Sequence, residues 1–253
     1  MFDDVTLFNE GTDPLNLGLK GDRTLNGLNV VGNSWTLSGG TLTFRPPAFN
    51  GMGLLRYSGT QTLTFETPLD LPIGLLMRVP DRDGTVRLLG EVNLQGELRK
   101  PGYGTLLMEV PIRPYEGWLD DMFNKENPWT RKRSPRVSLD GGTTGIAPAS
   151  LVDDQLDFVV LDDSNLFALN GDINIPWTLC IDRDATLDLI DNPKDSTPHS
   201  ITFSGDKYDR GTINQRGHGD LIFEGIDHFE GTINTYTGTV DSSLTATQGP
   251  ISK

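Results

Sequence analysis

The strongest constraint on this chain is internal repetition. Residues Val86 to Val110 lie over Ile201 to Gly225 without a gap. Gly90, Gly96, Gly102, Gly104, Leu106 and Glu109 fall on Gly205, Gly211, Gly217, Gly219, Leu221 and Glu224, while Val86, Leu88 and Leu98 fall on Ile201, Phe203 and Ile213. A looser copy runs from Trp35 to Gly59: Trp35, Leu37 and Gly39 open it, Pro46-Pro47 occupies its middle, and Gly51, Gly53, Leu55 and Tyr57 close it. A partial copy begins at Phe167-Ala168-Leu169-Asn170-Gly171 and fades after Ile175. Units of this kind cannot bury an apolar face alone, so neighbouring copies must stack to make a core.

Within each copy apolar and polar residues alternate, and glycine stands where the chain must turn sharply. Period-two alternation sends one set of side chains inward on a strand, and glycine supplies the backbone angles of tight corners. The expected fold is all-β: a parallel β-solenoid formed by residues 1–112 and 150–253, with 113–149 as a loop-rich insertion. The competing arrangement is an antiparallel β-sandwich whose hairpins resemble one another.

The stretch Gly217-His218-Gly219-Asp220-Leu221-Ile222-Phe223-Glu224-Gly225, with Phe229 to Asn234 and Tyr236 to Val240 behind it, resembles the strand repeat of autotransporter passenger β-helices. Lys100-Pro101-Gly102-Tyr103-Gly104-Thr105-Leu106 looks like its opening half, and bacteriophage spikes and fibres share the pattern. The first residues, Met1-Phe2-Asp3-Asp4, carry neither a basic n-region nor an apolar h-region, and the chain ends in the polar stretch Thr245 to Lys253 where an autotransporter has a membrane barrel. The resemblance then implies a virion component assembled in the host cytoplasm. The expected function is a non-enzymatic virion structural or attachment protein, such as a capsid-decoration, fibre or spike subunit. It would self-associate, as a homotrimer, and meet other virion proteins such as a capsid lattice. The alternative is a glycan-binding or glycan-cleaving β-helix protein that meets a host-surface glycan.

A net charge of -14 argues against nucleic acid as the main partner, because duplex binding rests on Lys and Arg neutralising phosphates. No apolar run approaches the roughly 20 residues of a spanning helix, so no membrane insertion is expected. The dense basic cluster is Arg131-Lys132-Arg133-Ser134-Pro135-Arg136, beside Trp129 and downstream of Trp118, in a stretch where Leu119 to Asn124 suits a short helical turn. Trp118, Trp129, Arg131, Lys132, Arg133 and Arg136 are therefore the interaction candidates, a docking arm for an acidic surface. Under the glycan reading, Trp118, Trp129, Tyr103 and Tyr115 would stack on sugars.

Carboxylates cluster at Asp153, Asp154 and Asp157, at Asp162 and Asp163, and at Asp182, Asp184, Asp188 and Asp191, in no motif that fixes a catalytic geometry. Asp81-Arg82-Asp83-Gly84 and Asp182-Arg183-Asp184 resemble fragments of calcium loops without the remaining ligands. His199, His218 and His228 are scattered, and Cys180 lies in the alternating run Trp177 to Ile181 as an expected buried thiol. No catalytic residue, metal or cofactor is expected.

Overall fold

The computed structural model of the protein describes residues 4–45, 51–114, 135–151, 156–195, 197–224 and 227–242, with backbone alone at 207–209, 227–229 and 241–242. The chain winds into a parallel β-solenoid whose coils each contribute strands to three faces. The first coil holds β1 (Asp4–Asn9), β2 (Leu15–Leu19) and β3 (Arg23–Leu25), and the next β4 (Gly27–Gly32), β5 (Trp35–Gly39) and β6 (Leu42–Phe44). Above them come β7 (Gly53–Ser58), β8 (Thr62–Phe65) and β9 (Leu69–Leu71), then β10 (Gly74–Arg78), β11 (Thr85–Leu88) and β12 (Val92–Leu94). β13 (Glu97–Pro101), β14 (Thr105–Met108) and β15 (Ile112–Pro114) follow.

β16 (Arg136–Ile146) and β17 (Asp157–Ala168) then run unbroken from the first face into the second, β16 ending near a 3-10 turn at Pro148–Ser150 and β17 leading to β18 (Ile173–Ile175). The last coils are β19 (Thr178–Ile181), β20 (Thr186–Leu189), β21 (Ile201–Phe203); β22 (Lys207–Asp209), β23 (Thr212–Gln215), β24 (Leu221–Phe223); and β25 (Asp227–Phe229), β26 (Thr232–Thr235), β27 (Val240–Ser242). One 18-stranded sheet makes the first two faces, because β16 and β17 join them. The third face is a 5-stranded sheet below and a 4-stranded sheet above.

Every rung pairs in parallel with its neighbour, so each inward side chain sits above another. On the first face Leu75, Leu98, Val137, Phe158 and Leu179 form one such column. Leu63, Val86 and Leu106 form one on the second. These side chains are fully buried or within 1% of it. Burying an aliphatic or phenyl group of this size contributes about 1.5–3 kcal/mol, so each added coil is stabilised mainly by its inward residues. Phe203 and Phe223 stack at 5.8 Å on the third face, and Phe158 packs against Trp177 at 6.1 Å.

Between the Val86 and Ile201 copies the repeat holds strand for strand, but the two stand on different faces. Val86 lies in β11 on the second face, whereas its counterpart Ile201 lies in β21 on the third. The local unit is thus one strand and its glycine corner, used at every edge of the coil. The coil itself is read from hydrogen-bonded register: Leu106 beside Val86 and Ile233 beside Ile213, 20 residues apart in each case. Of the stretch 113–149, residues 136–146 are a rung of the solenoid, since β16 pairs with β13, β14 and β17. Gly141 and Gly142, both at positive φ, interrupt the alternation there and make a rung look like loop.

Candidate functional site

Leu187, Ile213 and Ile233 point into the core on consecutive rungs of the second face, so the residues after them, Asp188, Asn214 and Asn234, lie on the outer side of the strands in register, with Asn214 covered to 6% exposure between its neighbours. Asn214 donates its amide to the Asp188 carboxylate at 2.6 Å and Asn234 donates to the Asn214 carbonyl at 2.9 Å. Identical in-register amides satisfy one another this way in stacked strands. The column continues downward through Asn165, Thr143, Thr105, Thr85 and Thr62. A polar stripe therefore runs along the second face, hydroxyl-bearing below and amide- and carboxylate-bearing above.

At its upper end the stripe meets a fixed aromatic ring. Arg216, just past β23, donates Nε to Asp188 Oδ2 at 2.8 Å. Its guanidinium carbon sits 4.5 Å from the ring centroid of Tyr236, which is 59% exposed. A cation over a tyrosine face is worth about 0.5–1 kcal/mol at such a site and orients the ring. Beside it, Asp191 accepts from the His218 backbone N–H at 2.8 Å and its Oδ2 lies 2.6 Å from His218 Nδ1. The cluster joins a presented ring to amide, carboxylate, guanidinium and imidazole groups, and so suits a ligand with an apolar face and many hydroxyls.

The corner beneath this platform is held from inside. Gln215 occupies an inward position above Leu189, and its Nε2 donates to the carbonyls of Gly217 at 3.0 Å and Gly219 at 2.6 Å. Gly238, at φ 71°, closes over it one rung later; a Cβ there would stand 2.5 Å from the Gly219 oxygen. Lys100 does the same lower down, on the corner between the first and second faces. It is buried in register with Leu139 and donates Nζ to the carbonyls of Gly102 at 3.0 Å and Gly141 at 2.7 Å, under Gly142 at φ 69°. Burial pulls the Lys100 amine down to about 7, against the opposing pull of Asp140.

The residues singled out in the sequence are distributed as follows. Trp118, Trp129, Arg131, Lys132, Arg133, Tyr115, Leu119 to Asn124, Asp153 and Asp154 lie outside the described residues. Arg136 begins β16 and pairs with Glu97 Oε2 at 2.8 Å. Tyr103 is 67% exposed at a corner, with Arg82 5.6 Å from its ring centroid. Burial pushes the Asp157 carboxyl above its ordinary range, countered by Arg136 and a Thr178 hydrogen bond. Asp81 and Asp83, Asp162 and Asp163, and Asp182 and Asp184 gather on one edge, where the first face turns into the second. Asp182 serves that turn by accepting the Arg183 N–H at 2.7 Å. Among the described residues no group of three or more His, Cys, Asp or Glu stands ready to hold a metal ion, and no helix is long and apolar enough to cross a membrane. Cys180 is half-buried rather than buried, because Leu179 and Ile181 take the inward positions.

Tyr236, Arg216, Asn214 and Asn234 were not singled out by the sequence, yet strand parity marks the two asparagines as outward partners of Ile213 and Ile233. Compared with protein-family models, with curated proteins and with solved structures, the chain matches none.

Proposed function

We propose that the protein is a non-enzymatic attachment protein, a fibre- or spike-type virion subunit in which a stiff β-solenoid presents a glycan-binding surface on its second face. The observation that carries this reading is the Tyr236 platform, an exposed ring oriented by Arg216 at the head of the Asp188–Asn214–Asn234 ladder. A ring face offers apolar contact to one side of a sugar, and the amides and carboxylate beside it take up hydroxyls. Rungs about 4.8 Å apart repeat these groups along the axis, which suits an extended polymer. Self-association and contact with other virion proteins belong to the same proposal.

The test is retention of neutral and acidic polysaccharides on the immobilised protein, with Tyr236→Ala as the discriminating variant. Loss of the ring should weaken retention at least tenfold, about 1.4 kcal/mol. Retention unchanged by Tyr236→Ala would remove the platform from the site. Release of oligosaccharide that disappears in an Asp188→Asn, Asp191→Asn variant would make the protein an enzyme.

A further inference from the structure

Among the large apolar side chains that stand exposed, Tyr103 and Tyr236 share a construction. Each ring has an arginine of the rung below over it, Arg216 at 4.5 Å from the Tyr236 centroid and Arg82 at 5.6 Å from that of Tyr103. Both tyrosines border the second face. Tyr103 lies in the corner that leads into β14, two residues before Thr105, and Tyr236 follows β26, two residues after Asn234. Thr105 and Asn234 belong to one column of the polar stripe, joined in register through Thr143, Asn165, Asp188 and Asn214. At about 4.8 Å for each rung, the two ends of that column lie about 24 Å apart along the axis. One ring stands where the chain enters the face and the other where it leaves, so the line between them crosses the stripe obliquely.

The charges along this path are engaged locally. Arg87 is the one basic side chain on the strands of the second face among the described residues, and it pairs with Glu109 at 2.9 Å. Arg216 is held by Asp188 and His218 lies against Asp191, so the carboxylates nearest the stripe are occupied as well. The edge where the first face turns into the second carries exposed Asp162, Asp163, Asp182 and Asp184. On that edge Arg82 and Arg183 each stand in sequence between two aspartates, and Arg210 pairs with Glu230. On the opposite edge Lys194 has Asp191 and Asp195 in its own loop. Carboxylates outnumber cations along the path, and a net charge of -14 repels a polyanion. What the path presents to a ligand is two ring faces and a row of hydroxyls and amides.

We propose, resting on the attachment reading above, that Tyr103 is a second anchor for the same ligand, an uncharged linear polysaccharide that crosses the second face from Tyr103 to Tyr236. Each ring packs against the apolar side of a sugar, and the stripe between them takes up hydroxyls. Because both anchors belong to one rigid solenoid, the second contact forms within the complex and multiplies the first. Selectivity against acidic polymers comes from the aspartates of the edge, which repel them.

The test is isothermal titration calorimetry with size-graded neutral linear oligosaccharides, from glucans, mannans and galactans, beside uronate, sulfated and amino-sugar series. Wild-type affinity for a neutral series should rise about a hundredfold once the oligosaccharide reaches both rings. It should change little between low and high salt. Tyr103→Ala and Tyr236→Ala, each folded by circular dichroism, should lose that step, whereas Tyr103→Phe should keep it. A step that survives in Tyr103→Ala, binding through Tyr236 that never steps with length, or tighter and salt-sensitive binding of a charged series would each overturn the proposal and leave the attachment surface at Tyr236 standing. If the wild type binds no series at all, the attachment surface itself falls, and the second anchor with it.

Discussion

The corner held by Lys100 and the corner held by Gln215 solve one problem with different chemistry. In both, a Gly-x-Gly turn leaves carbonyls pointing into the solenoid, and a nitrogen from an inward strand position reaches them. A positive-φ glycine of the next rung, Gly142 or Gly238, then closes the space. Gln215 does this as a neutral amide that leaves no buried charge, whereas Lys100 does it as an amine whose protonation falls near neutrality. The corner therefore requires a donor and tolerates a charge. A buried polar group left without its partner costs about 1–3 kcal/mol, so a donor there stabilises even though it displaces a hydrophobe from the stack.

The largest effect expected from this comparison is at the closing glycines. In Gly142→Ala the new Cβ would stand 2.5 Å from the Gly102 oxygen and 2.2 Å from Lys100 Nζ. Both Gly142→Ala and Gly238→Ala should cost about 3 kcal/mol or more in denaturant unfolding, with Gly142→Ala the worse. If only one of the two is costly, the corners are not equivalent.

Gln215→Leu comes next. It leaves the Gly217 and Gly219 carbonyls without their donor, an expected loss of about 2–3 kcal/mol. Because this corner carries Arg216 and leads into the rung of Tyr236, polysaccharide retention should fall with stability. Full retention in a destabilised variant would separate the platform from its support.

Smaller, and of opposite sign, is Lys100→Gln, which writes the upper corner's solution into the lower one. The folded-state amine titrates near 7 and the unfolded one at its ordinary value near 10.5. Below the folded value both states hold the proton and the buried charge is fully opposed. Across the window from about 7 to 10.5 the unfolded chain binds more protons, so wild-type stability rises with pH. Lys100→Gln should therefore be more stable than wild type near pH 6, by on the order of 1–2 kcal/mol, and lose that advantage as pH rises. A difference between the two proteins that does not change with pH would mean that Lys100 stays charged throughout.

Alternation and glycine spacing made the parallel solenoid legible, and parity also marks Lys100 and Gln215 as inward, two residues beyond Leu98 and Ile213. What stayed hidden is what depends on coil length. Rungs differ in length at their corners, so the neighbours of Asp188 or Arg56 in the next coil cannot be counted off along the chain. The Asn214 ladder and the Arg216–Tyr236 contact both arise between coils, and hydrogen-bonded register alone brings their residues together. The overlay of Val86 on Ile201 found the right local unit and assigned it to the wrong level, because a strand with its corner looks alike on every face.

Hydrogen exchange along the backbone, with and without a retained polysaccharide, tests most directly whether the second face is the attachment surface. Added protection is expected at the ends of β20, β23 and β26 and at the Arg216–Tyr236 corners, with the third face unchanged. Protection confined to residues 115–134, or to the third face, would contradict it.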